Sequence, residues 1–167
     1  MNIETLEDLF GYQLQHAYYA ERSHVELLAE MAADASSEDL RDRFDDHRER
    51  TERQVERLER AFEGIGRRPR ASRARTVDGL ADARSVRERT GDGDAVVPGD
   101  LEVALLAERL EIRSYESLLR LAGRLAYAND VVEPLESNLA EERDELASLE
   151  DLEAELSVFE TAGIADP

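Results

Sequence analysis

Apolar residues recur at intervals of three and four along four long stretches of the chain, with most of the Pro and Gly in the gaps between them, which is the signature of amphipathic helices rather than strands. The first helix is expected from about Ile3 to Ala33, with Leu6, Leu9, Phe10, Ala17, Leu27, Leu28 and Met31 along one stripe. Ser37 followed by Glu38 and Asp39 makes a good N-cap with an acidic first turn. It opens a second helix to about Glu63 whose stripe is Leu40, Phe44, Val55, Leu58 and Phe62. Gly64 and Gly66 end that helix. A third is expected from a cap at Asp100 to about Tyr127, through Leu101, Leu105, Ile112, Leu119 and Ala122. Asn129 or Asp130 caps the fourth, with Pro134 tolerated in its first turn and Val131, Leu135, Leu139, Leu146, Leu149, Leu152 and Leu156 as its stripe.

Loop lengths set the topology. The first and third connections are so short that the helices they join must pack antiparallel, whereas residues 65–99 can carry the chain back along the whole bundle, so the second and third helices run parallel. The expected architecture is an all-α four-helix bundle over residues 1–160 with a long crossover at 65–99 and a short tail at 161–167. Within the crossover, Leu80 to Arg89 suits a short helix, and Arg67, Arg68, Arg70, Arg73 and Arg75 form a basic run. That run reads as a strap neutralising nearby carboxylates or as a site for an acidic partner or phosphate.

Charge narrows the partners. With 40 acidic against 21 basic residues and a net charge of -19, the chain lacks the basic footprint that nucleic acids and anionic membrane surfaces require. No run of 18 apolar residues and no basic-then-apolar N-terminus occurs, so neither a membrane span nor a secretory signal is expected, and the location expected is cytoplasmic. The absence of Cys leaves carboxylates and three histidines as the metal-binding side chains. Every basic residue is Arg. Together with the excess acid this suggests a halophilic protein, whose self-repulsion molar salt would screen.

The chemistry is expected where polar residues lie on apolar stripes. Seven Glu-x-x-Glu pairs occur, so that spacing alone says little, and the face of the helix has to discriminate. Glu108 lies among Ala104, Leu105, Ile112 and Tyr115 with Glu111 at the stripe edge, and Glu142 lies among Leu135, Leu139, Leu146 and Leu149 with Glu145 at the edge. Glu21 and His24 share the inner face with Ala17 and Leu28, and His47 and Thr51 fall between Phe44 and Val55 with Gln54 alongside. Glu49 is roughly 140° from Phe44 on the helical wheel, so Glu49 and Glu52 point outward. His16 reads as a surface or interface residue, and Tyr115 as core with its hydroxyl on a carboxylate.

These groups agree in depth along their helices and can meet in one layer. Buried carboxylates without partners must protonate or bind cations, and carboxylates with imidazoles suit Fe, Mn or Zn. Two divalent ions bridged by glutamates would satisfy the layer, a type of bundle centre built from inward Glu and Glu-x-x-His pairs. The competing reading is a metal-free core in which Arg50 pairs with Glu108 or Glu142, leaving a non-catalytic scaffold.

At these residues the sequence resembles the YciE/YciF family of ferritin-like proteins, relatives of the rubrerythrins, over about residues 3 to 150. The matching stretches are Leu6-Glu7-Asp8-Leu9-Phe10 with Ala20-Glu21, then His47-Arg48-Glu49-Arg50-Thr51 with Gln54 and Arg57-Leu58. Gly79-Leu80, Glu108-x-x-Glu111 with Tyr115, and Leu139-x-Glu141-Glu142 complete them. The resemblance implies a ferritin-like bundle, frequently a homodimer, with a dinuclear iron site and a stress-related role. Combined with the inward residues above, the dinuclear reading takes Glu21, His24, His47, Glu108, Glu111, Glu142 and Glu145 as metal ligands, with two Fe or alternatively Mn per chain and oxygen or peroxide as the small-molecule substrate of a ferroxidase or peroxide scavenger. Three positions depart from the family pattern: Arg50 stands where a Glu precedes the helix-two Thr, Leu146 stands where an acid follows the Glu pair, and His24 stands at a position usually apolar.

Overall fold

The computed structural model describes residues 3–35, 37–90 and 96–163. They form α1 (Leu6–Asp34), α2 (Glu38–Gly64), α3 (Arg75–Thr90), α4 (Val96–Leu125) and α5 (Asn129–Gly163). Four of these close a ring in the order α1, α2, α5, α4, and α3 lies outside it against α4 and α1. Cross-helix partners run in opposite senses. Tyr115 meets Glu21 while His24 meets Glu111 between α4 and α1, and Arg43 meets Ser148 while Arg57 meets Glu141 between α2 and α5. Ring neighbours are therefore antiparallel, and the diagonal pair α2 and α4 is parallel, as the long crossover requires.

Local chemistry sets the helix ends. Thr5 and Asp8 form a reciprocal capping box at the start of α1, and the Ser37 hydroxyl accepts from Leu40 N at 3.2 Å at the start of α2. At the end of α2, Gly66 takes a left-handed φ of 67°, with Arg67 N bonded to Phe62 O at 2.9 Å and Gly66 N to Glu63 O at 2.8 Å, the paired bonds of a Schellman turn. The end of α4 makes the same turn with Ala126 at φ 52°, bonding Tyr127 N to Ala122 O at 3.1 Å. A Cβ is costly in that region. Ala126→Gly is expected to stabilise the fold by about 1 kcal/mol, read as a rise of ~2–4 °C in melting temperature.

Two helix starts differ from the sequence expectation. α4 begins at Val96 rather than at a cap on Asp100, because Pro98 as its third residue forfeits only a backbone donor that the first turn leaves unpaired anyway. Pro134 is the sixth residue of α5, one turn deeper than expected, and removes one helical hydrogen bond there. The expected short crossover helix is present and longer, as α3. The side chain of Leu156 and residues 164–167 lie outside the described residues.

Apolar clusters occupy both ends of the ring. Phe10, Leu14, Leu58, Phe62, Leu118 and Leu135 fill one end. Leu28, Met31, Phe44 and Val103, with Leu101, Leu105 and Leu149 beside them, fill the other. Between them lies a buried polar layer.

The crossover is tied down mainly by charge. Ser72 N donates to Gln15 O at 3.1 Å, Arg73 pairs with Asp78 at 2.6 Å, and the buried Arg84 reaches Asp34 at 2.8 Å. Gly11 leaves room for the Arg67 guanidinium, since a Cβ there would stand 2.0 Å from Nη1. Among the described residues, no helix is long and apolar enough to cross a membrane.

Candidate metal centre

All seven glutamates and histidines singled out by the stripe argument are buried: Glu21, His24, His47, Glu108, Glu111, Glu142 and Glu145. Helical spacing sorts most of them into two levels. Glu21 and His24 are one turn apart on α1 and Glu108 and Glu111 one turn apart on the antiparallel α4; the donor atoms of His24 and Glu108 meet at a first level and those of Glu21 and Glu111 at a second, with the His24 ring also reaching Glu111 across the gap. Three residues are about 4.5 Å of rise. His47 of α2 joins the first level and Glu142 of α5 the second. The result is two triads, His24–His47–Glu108 and Glu21–Glu111–Glu142, the donor atoms within each lying no more than 4.8 Å apart.

The triads abut. His24 Nδ1 lies 3.0 Å from Glu111 Oε2, and the Glu108 and Glu142 carboxyls face each other. Both imidazoles turn Nε2 toward Glu108 Oε1, at 3.4 Å for His47 and 3.9 Å for His24. Several inward atoms have no hydrogen-bond partner from the protein: Glu21 Oε2, His24 Nε2, both Glu108 oxygens and Glu142 Oε1. Buried polar atoms are normally paired, and orphans on three helices that converge on two small spaces are what a pair of cations would satisfy. Charge gives the same count. Arg50 pairs with Glu145, and the other four buried glutamates match two divalent ions.

Burial dominates the protonation. It holds the Glu21, Glu108 and Glu111 carboxyls well above their ordinary 4.5 and raises Glu142 as well, with neighbouring carboxylates adding to the effect. Burial also lowers His24 and His47 below 6.5, His47 further because His24, Arg50 and Arg43 face it. Both imidazoles are thus neutral near pH 7, with a lone pair free for a metal.

The sign of the stability effect follows from linkage. Without metal, the folded carboxyls bind more protons than the unfolded ones above pH 4.5, so their contribution to stability is lost as pH rises. The depressed histidines act oppositely, but only below 6.5. As pH rises above 6.5 the chelator-treated protein should therefore lose stability, and Glu108→Gln should lose less, which urea melts at each pH would measure.

Arg50 does not pair with Glu108 or Glu142, as the metal-free reading supposed. Its guanidinium holds Glu145, whose other oxygen faces His47 Nδ1 at 3.7 Å. Glu145 consequently belongs to neither triad and sits behind His47. Glu49 and Glu52 are exposed as expected, and His16 is half-buried and packed on Tyr12 at 4.1 Å between ring centres.

Tyr115 is core with its hydroxyl on a carboxylate, as expected, but sequence reasoning missed the string behind it. The buried Tyr115 hydroxyl donates to Glu21 Oε1, Asn138 Nδ2 donates to Tyr115 Oη at 2.8 Å and to Gln54 O at 3.2 Å, and Arg57 Nη1 donates to Asn138 Oδ1 at 3.1 Å. Arg57 is clamped by Glu141 at 2.6 and 2.7 Å. A polar residue at the fully buried position 138, on the stripe between Leu135 and Leu139, was the available signal.

Two apolar pockets reach the layer from the sides, each with room for a water-sized molecule. One, walled by Phe44, Leu101, Ala104 and Leu149, ends at His47 and Glu145. The other, under Val77, Leu80 and Ala81 of α3, ends at His24 and Glu111.

Comparison with known proteins adds a family context. Residues 5–161 match the family described as domain of unknown function DUF892. The chain is 31% identical over 154 residues to protein YciF of Escherichia coli, spanning 91% of this chain and 92% of that one. Among solved structures it superposes on YcfI from Rhodopseudomonas palustris with TM-score 0.83 and 31% identity, over 89% of this chain and 95% of that one. The E. coli stress protein YciF gives TM-score 0.81 and 30% identity, over 90% and 95%. A protein from Xanthomonas campestris gives 0.72 and 25%, over 95% and 99%.

Proposed function

This chain belongs to the DUF892 family, and from that premise we propose that it is a ferritin-like stress protein holding a carboxylate-bridged dinuclear Fe or Mn centre, with ferroxidase or peroxide-scavenging activity. The observation that carries the proposal is the set of unpartnered inward atoms on Glu21, His24, Glu108 and Glu142. Glu21, Glu111 and Glu142 would hold one ion, and His24, His47 and Glu108 the other. Bound there, such ions supply one-electron redox chemistry toward oxygen or peroxide.

The protein's own part is geometry, dryness and proton placement. Apolar clusters above and below keep bulk water out, the side pockets admit molecules as small as water, and the Tyr115 hydroxyl holds a proton on Glu21 Oε1. Glu145, anchored by Arg50, steadies His47 from behind, as carboxylates commonly do for metal-bound imidazole.

Metal analysis after anaerobic Fe(II) loading of chelator-treated protein tests this directly. About two Fe per chain is expected, and fewer than about 0.2 would refute it. Arg50→Glu separates the metal-free scaffold reading: if Arg50 stands in for metal, the variant gains metal uptake that the parent lacks, whereas here the parent already binds. A cytoplasmic homodimer and a halophilic setting complete the proposal. The latter predicts a lower melting temperature when molar KCl is removed, since 40 acidic residues then repel unscreened.

A further inference from the structure

The two triads differ in donor chemistry. One offers two imidazole nitrogens and one carboxylate, and the other offers carboxylates alone. The difference follows from the sequence: the nitrogen donors His24 and His47 sit at the same level on α1 and α2, and at the other level α2 presents Thr51 and Gln54, whose Oγ1 donates to His47 O and whose backbone carbonyl accepts from Asn138. One side pocket ends on His47 and the other on His24 together with Glu111 of the all-carboxylate triad.

Resting on the dinuclear reading above, we infer that the two positions select different metals. The His24–His47–Glu108 position takes a nitrogen-preferring ion of the Fe(II) or Zn(II) class, and the Glu21–Glu111–Glu142 position takes a hard, oxygen-preferring ion of the Mn(II) class. Divalent affinities rise from Mn(II) through Fe(II) at any site, but imidazole steepens that rise whereas carboxylate and carbonyl donors are the natural set for Mn(II). The centre is thereby built for mixed occupancy.

Zn(II) titrated into the Mn(II)-loaded protein, brought to equilibrium and followed by the Mn retained per chain, tests the inference without reference to activity. Two Mn per chain are expected at the start. One equivalent of Zn(II) should displace one of them, and the second should leave only at about tenfold more Zn(II) or higher. Anomalous scattering from crystals at the two metal edges should place Zn between His24, His47 and Glu108, and Mn between Glu21, Glu111 and Glu142.

Simultaneous loss of both Mn ions, or Zn spread evenly over the two positions, overturns the inference and leaves the dinuclear reading intact. Failure to load Mn(II), Fe(II) or Zn(II) at all overturns both. His47→Gln and, independently, His24→Gln should each merge the two displacement steps, and a clear tenfold gap persisting in both variants would also overturn the inference.

Discussion

Two equivalents of Fe(II) or Mn(II), added anaerobically to chelator-treated protein, are expected to raise its melting temperature by about 10–20 °C. The size follows from mass action. A ligand that binds only the folded chain stabilises it by about 2.7 kcal/mol when present at a hundredfold excess over its Kd, and two such positions give roughly 5 kcal/mol. For a chain of this length each kcal/mol is worth about 2–4 °C. The unfolded chain has no comparable site, because Glu21, His47, Glu108 and Glu142 come from four different helices. Scanning calorimetry with and without metal measures the shift, and the double variant Glu108→Gln with Glu142→Gln should abolish it. A shift equal to that from the same concentration of Mg(II) would reduce the effect to screening of surface charge.

Glu108→Leu should act in opposite directions on the two forms. Glu108 is fully buried, neither of its oxygens has a hydrogen-bond partner, and burial holds its carboxyl well above the usual carboxylate range. A buried polar group without a partner costs about 1–3 kcal/mol, which an apolar residue of similar volume recovers. The metal-free variant should therefore melt higher than the metal-free parent. In metal it should melt lower than the loaded parent by about 2 kcal/mol or more, because the carboxylate shared between the two imidazoles is gone. Equilibrium denaturation of both proteins in chelator and in Mn(II) reads the crossing directly. A variant less stable than the parent in chelator would show that Glu108 is satisfied without metal.

Much of this was legible in the sequence because it rests on periodicity. A stripe position on a straight helix is fixed by 3.6-residue geometry, so the sequence puts Glu21, His24, His47, Glu108 and Glu142 on the inner faces, with Glu111 and Glu145 at the stripe edges. Loop lengths likewise fixed which helices run parallel. Pairings between helices were not legible, since they depend on relative rotation and on which long side chain reaches furthest. Arg50 was expected near Glu108 or Glu142 and instead takes Glu145, half a turn from the inner face of α2. The Arg57–Asn138–Tyr115–Glu21 string crosses three helix interfaces, and no spacing in one helix announces it. The left-handed Ala126 was equally invisible, because the residue type there gives no turn signal.

The family resemblance read from short motifs is shown over nearly the whole chain by the DUF892 match at residues 5–161 and the 31% identity to YciF.

The order of helices around the ring gives the centre a further property. Glu21, His24 and His47 lie on the first helical hairpin, and Glu108, Glu111 and Glu142 on the second, so every triad draws on both hairpins and the crossover is otherwise the only covalent tie between them. An ion in either triad rivets the halves together at mid-height. Amide hydrogens of α1 and α4 around residues 21–24 and 108–111 should then exchange through separation of the hairpins when metal is withheld, and only through unfolding of the entire bundle when it is supplied.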